Sequence, residues 1–153
     1  MSILFGISRP EGQVVEEREL IELAQGTGRF APDGTFIRAT GRIGMGFQPY
    51  HTHLRSKLES LPKVDAHGNM LILDGRLDNH LELCELLELP RDKTADSAII
   101  LAAFGRWGED CFSRFVGDWA LALWSNADRT LYLARDHAGM RTLYFEQIAG
   151  SIL

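Results

Sequence analysis

The chain has 153 residues, 45% of them hydrophobic, which suits one globular domain with a single core. A formal net charge of -5, with no local cluster of Lys and Arg, removes the long-range attraction that nucleic acid or an anionic membrane surface would need. No apolar run approaches the roughly 20 residues of a membrane span, and Met1-Ser2-Ile3-Leu4 lacks the basic start of a signal peptide, so a cytoplasmic location is expected.

In chain order, Ile3-Leu4-Phe5-Gly6-Ile7 predicts a buried strand ended by the turn Arg9-Pro10-Glu11-Gly12, which places the N-terminus inside the fold. Residues 16–25 predict a helix with Leu20, Ile21, Leu23 and Ala24 on one side. Strands follow at 36–39 and 43–47, then a long connection, 48–68, holding Pro49 and Pro62. Residues 69–73 form an apolar strand that Asp74-Gly75-Arg76 is expected to break. Two helices come next. One opens on Asp78 as N-cap and buries Leu81, Cys84 and Leu87; the other opens on Asp96 and buries Ile99, Ile100, Ala103, Phe104 and Trp107. A helical turn at 111–116 leads to strands at 118–124, 130–134 and 143–145. Ser151-Ile152-Leu153 resembles a strand starting after a turn at Ala149-Gly150, from which the chain is expected to be a fragment or a truncated form. Strands at both ends with paired helices between predict an α+β layered domain.

Cys84 and Cys111 share no metal or redox spacing and suit core packing. His51 and His53 lie two apart, but His67 and His80 would have to converge on them, and no metal is expected. No Gly-rich phosphate loop with a Lys is present. Trp107, Trp119 and Trp124 fall in elements with buried periodicity and are expected to anchor the core.

Several stretches, weak singly, are specific in their order and spacing. They are Ser2-Ile3-Leu4-Phe5-Gly6-Ile7, the turn 29–34, Asp74-Gly75-Arg76-Leu77-Asp78-Asn79, Asp96-Ser97-Ala98-Ile99-Ile100, Trp107-Gly108, Gly117-Asp118-Trp119 with the strand behind it, and Arg135-Asp136-His137-Ala138-Gly139-Met140-Arg141 through Phe145. Together they resemble the class II glutamine amidotransferase domain of asparagine synthetases, an N-terminal-nucleophile hydrolase fold, over residues 1–153. The resemblance implies a four-layer αββα architecture with two stacked antiparallel sheets, and a nucleophile at the first residue of the processed chain. Removal of Met1 would expose Ser2. A free α-amino group, with a pKa of about 7.7–8.0, can serve as base for its own side chain.

Carried over residue by residue, the resemblance implies a glutamine site that has lost groups. Ser2 stands where active members have Cys, and a hydroxyl is a much weaker nucleophile than a thiol. Asp74 stands where an Asn amide and the N–H of the next glycine, here Gly75, hold the oxyanion; losing one such donor costs about 2.7–4 kcal/mol. Arg76 replaces a Glu at the pocket rim. Pro49 aligns with the Arg that grips the substrate's α-carboxylate, with Arg55 as a distant candidate. Asp96 matches the Asp that binds the substrate's α-amino group. Arg135, Asp136 and Gly139 are expected to serve turn and packing roles.

The parent family adenylates a carboxylate with ATP in a second domain. ATP and magnesium are expected only there, and no cofactor is expected in these residues. The 74–79 loop and the 117–124 strand look most like the homologues that close lasso peptides, which join an amine to a carboxylate within one peptide and need no ammonia; beta-lactam synthetases share the pattern. The expected partners are a synthetase domain in cis or in trans, a second copy of the chain, or a precursor peptide. A pseudo-glutaminase domain supporting an amide-forming ligase is the leading expectation, and it predicts an exposed apolar patch for the partner. A working amidohydrolase using Ser2 and supplying ammonia is the alternative, and a non-catalytic interaction or sensing module a third.

Overall fold

The computed structural model of the chain describes residues 2–30 and 32–153. Met1, whose removal would expose Ser2, and Ala31 of the 29–34 turn lie outside the described residues. The first strand, β1 (Ile3–Ser8), occupies the middle of a five-stranded antiparallel sheet. Its order is β2-β3-β1-β9-β8, with β2 Phe36–Thr40, β3 Ile43–Gln48, β8 Gln147–Ile148 and β9 Ser151–Ile152. The second sheet has the order β4-β5-β6-β7, with β4 Lys63–Val64, β5 Met70–Leu77, β6 Gly117–Ser125 and β7 Thr130–Arg135.

Alternation along the strands sets the layers. Phe5 and Ile7 pack with Val15 and Leu20 under α1 (Glu17–Ala24), whereas Leu4 joins Ile43, Met45 and Phe47 in the core shared with the second sheet. Gly44 and Gly46 allow the close approach on the α1 side: a methyl group on Gly44 would meet Val15 and Leu20, and one on Gly46 the Phe5 ring. On the far face of the second sheet, α3 (Asp96–Trp107) packs against β5 with α2 (His80–Leu86) beside it. Helix, sheet, sheet, helix is the αββα layering that the resemblance implies, and the strand pairs within each sheet are antiparallel.

Four sequence expectations are corrected. β5 does not break at Asp74; its ladder with β6 runs from Met70↔Trp124 to Leu77↔Gly117, with Gly75, which has no Cβ, accommodated in the strand at a φ of 136°. The N-caps of α2 and α3 are Asn79 and Ala95, not Asp78 and Asp96. Leu81, Ile21 and Leu23 are exposed, the buried positions being Leu83 and Cys84 in α2 and Leu20 and Ala24 in α1. Residues 143–145 form no strand, and Tyr144 and Phe145 lie on the surface. Trp119 and Trp124 are core residues, and Trp107 is half-buried under the guanidinium groups of Arg106 and Arg114. Both cysteines are buried, and burial pushes the Cys111 thiol up to about 12. No helix among the described residues is long and apolar enough to cross a membrane.

Candidate functional site

The N-terminal end of β1 and the middle of β5 come from different sheets, and their meeting forms a cleft of about 90 Å³. Ser2, Asp74, Gly75 and Arg76 all line it, so four of the residues singled out from sequence are brought together. The Ser2 nitrogen donates to Asp74 Oδ1 at 2.9 Å, and Ser2 Oγ accepts the Tyr50 N–H at 3.1 Å. Asp74 Oδ2 accepts from Arg141 Nη1 at 3.1 Å. Both oxygens of this buried carboxylate are therefore engaged, one by the Ser2 main-chain N–H and one by a guanidinium.

Arg141 owes its position to Asp136. The Asp136 carboxylate accepts the main-chain N–H groups of Trp119, Met140 and Arg141 at 3.3, 3.2 and 3.4 Å, which closes the turn after β7 and aims Arg141 at Asp74. Burial opposes the charged form of Asp136, but the amides of Met140, Arg141, Trp119 and Gly139 outweigh it and hold the carboxyl below its usual value. A depressed carboxyl stabilises the fold above its unfolded pKa and loses that contribution as pH falls through the folded value. Thermal unfolding followed from pH 6 downward should thus show a loss below about pH 4, and Asp136→Ala, which strands three main-chain donors, should cost about 2 kcal/mol near neutrality and flatten that acid limb.

Trp119 is the ladder partner of Gly75, yet its N–H and carbonyl both serve Asp136, at 3.3 and 2.8 Å. With Trp119 bonded toward Asp136, the antiparallel pattern turns the Gly75 N–H away from β6, and Gly75 lines the cleft. Arg76 is half-exposed at the rim, with Nε 2.9 Å from Asp78, which explains why Asp78 does not cap α2.

The other two predicted positions lie outside this cleft. Pro49 lines a neighbouring cavity with Asp33, Phe36, His51 and Glu59. Asp96 is buried behind it, its Oδ2 accepting the Leu77 N–H at 3.1 Å and facing Arg55 Nη2 at 3.5 Å. Arg55, on a 3₁₀ turn over residues 54–58, also donates to the Leu77 carbonyl at 2.7 Å. Arg55 thus ties the long connection to the end of β5 rather than reaching the Ser2 cleft.

Sequence reasoning missed Arg141, Glu59 and the roles of His51 and His53, all of which line the cleft. Glu59 Oε1 accepts the Ser97 N–H at 3.2 Å in the first turn of α3, and burial pushes its carboxyl upward. His53 Nδ1 accepts the Ser56 N–H at 3.3 Å, which places its proton on Nε2, and burial lowers its pKa. Ser56 Oγ donates to the His53 carbonyl at 2.5 Å and so accepts from His51 Nδ1 at 3.2 Å. Chemically, the cleft has a hydroxyl beside a carboxylate paired with Arg141, one main-chain donor, and two imidazoles at its mouth.

Comparison with known proteins gives the geometry a context. Residues 52–153 match the model of a family described as the glutamine amidotransferase domain. A putative glutamine-hydrolyzing asparagine synthetase of Mycobacterium tuberculosis is 33% identical over 120 residues, 73% of this chain and 18% of that protein. Asparagine synthetase 1 of Bacillus subtilis is 27% identical over 152 residues, 91% of this chain and 23% of that protein. A putative asparagine synthetase of Methanocaldococcus jannaschii is 25% identical over 105 residues, 69% of this chain and 20% of that protein. The chain therefore spans about a fifth of the length of these relatives. Among solved structures, the glutamine phosphoribosylpyrophosphate amidotransferase of B. subtilis superposes with a TM-score of 0.68 at 16% identity, covering 99% of this chain and 41% of that one.

Proposed function

Because the chain belongs to the glutamine amidotransferase domain family and is related to the N-terminal domains of asparagine synthetases, we propose that it is the glutaminase-shaped N-terminal part of an ATP-dependent amide-forming ligase, its glutamine site degenerate and retained for structure. The observation that carries this reading is the Asp74 carboxylate lying on the Ser2 nitrogen while paired with Arg141. An α-amino group exposed by loss of Met1 would keep that carboxylate beside it, and an adjacent negative charge favours the ammonium form, which cannot act as a base. Developing negative charge on a tetrahedral oxygen would also meet an acceptor at Asp74, with only the Gly75 N–H to stabilise it.

A ligase without glutamine-derived ammonia needs a substrate that brings its own amine. Macrocyclisation of a lasso-type precursor peptide, which joins an amine and a carboxylate of one molecule, meets that need. The retained layering then serves as a platform for the synthetase part. The test is glutamate release from L-glutamine by the purified chain, with Ser2→Ala as blank and the mass of the N-terminus verified. No release above the blank is the expected result. Release that disappears in Ser2→Ala would overturn the reading in favour of a serine-dependent glutaminase.

A further inference from the structure

β7 is the last strand of its sheet, and beyond its ladder with β6 it makes no backbone hydrogen bond to another described residue. Edge strands are ordinarily guarded by a charge in mid-strand, a proline or a bulge. Thr130-Leu131-Tyr132-Leu133-Ala134 has none of these, and its pairing with β6 is continuous from Ser125↔Thr130 to Ala120↔Arg135. Beside this edge the two sheets stand apart around an apolar cavity of about 210 Å³, with Leu131 and Leu133 in its wall. Its rim is uncovered: Tyr144 is 86% and Phe145 65% exposed.

Charge discriminates between occupants of that edge. Arg135 is exposed and has no carboxylate within 4 Å among the described residues. Arg129, at the other end, has only a 3.6 Å contact with the exposed Glu11. A second copy paired antiparallel about Tyr132, the centre of the strand, keeps Leu131 and Leu133 of both copies on the cavity side and sets Arg129 against Arg135 at both ends. Like charges directly opposed across strands are destabilising.

We infer that β7 and the cavity beside it dock an extended strand of the synthetase part of the ligase, apolar at alternate positions and acidic at both ends. The inference rests on the ligase reading above. The incoming backbone extends the β7 ladder, its apolar side chains enter the cavity beside Leu131 and Leu133, and its end carboxylates face Arg129 and Arg135.

The isotope-labelled 153-residue chain is titrated with the blocked peptide Glu-Thr-Val-Thr-Val-Thr-Glu, with the same peptide carrying Lys at both ends, and with the first peptide N-methylated on the amides that would face β7. The acidic peptide should shift the amide resonances of residues 129–135 and 143–145 and slow exchange of the outward amides of β7. The Lys-ended peptide should bind at least tenfold more weakly, and the N-methylated one should leave β7 unshifted. Equal binding of the acidic and Lys-ended peptides, no shift of β7 at millimolar peptide, or dimerisation through β7 in sedimentation of the chain alone would each overturn the inference. Failure of peptide binding without glutamate release sinks the docking alone, whereas glutamate release sinks the ligase reading.

Discussion

Ser2→Cys alone is expected to give no measurable glutamate from glutamine, and adding Asp74→Asn to it is expected to bring release into the measurable range, a gain of about 10²-fold or more. The thiol repairs the nucleophile, but the Asp74 carboxylate still accepts from the Ser2 nitrogen at 2.9 Å and from Arg141 at 3.1 Å. An amide at that position changes the site in two ways. Its NH₂ supplies a second donor beside the Gly75 N–H, worth about 2.7–4 kcal/mol in the transition state, and loss of the charge lets a terminal α-amine shed its proton near neutral pH. Substrate affinity should stay poor in the double variant, because Pro49 lines a separate cavity and Asp96 and Arg55 are occupied with each other and with Leu77. Rates at several glutamine concentrations, with removal of Met1 verified by mass, would separate the two defects. Equal rates in the single and double variants would show that Asp74 is not what holds the site back.

The parts of this site legible from sequence are those held by the strands. Ser2 opens β1 and Asp74, Gly75 and Arg76 lie within β5, so once the two sheets stack, all four reach one cleft. Arg141 was not legible as a site residue, because its pairing with Asp74 joins positions 67 apart through a turn closed by Asp136. Local spacing encodes no such contact. The helix starts fail for a related reason. Asp78 and Asp96 are residue types suited to N-caps, but Arg76 draws off the first, and the Leu77 N–H with Arg55 the second, so Asn79 and Ala95 take the cap positions.

The apolar pattern misled at Ile21, Leu23 and Leu81, which are exposed, and again at 143–145. Leu143, Tyr144 and Phe145 have strand-forming side chains, yet no neighbouring strand is there to pair with them, and they border the open cavity between the sheets. Tyr144 and Phe145 are exposed at this border.

Gly75→Ala is expected to lower stability by about 4 kcal/mol, the sum of a strained backbone conformation and an overpacked contact. Gly75 has a φ of 136°, which L side chains rarely adopt, and a methyl group there would overlap the Asp118 carbonyl oxygen and come within 2.6 Å of Trp119 Cα. Neither obstacle is a flexible side chain; both belong to the backbone of β6, itself fixed by its ladders to β5 and β7. Relief would require β5 and β6 to separate at the point where Trp119 holds Asp136 and Asp136 holds Arg141, so the damage should extend to the Asp74 ion pair. Gly26→Ala is the control, since a methyl group there meets nothing within 4 Å and should change stability by less than about 0.5 kcal/mol. Urea unfolding of the two variants decides the matter. If Gly75→Ala unfolds at the midpoint of Gly26→Ala, the strands are looser than the geometry implies, and the glycine in the Asp74-Gly75-Arg76 sequence would have to be kept for its exposed N–H rather than for the packing of β5 on β6.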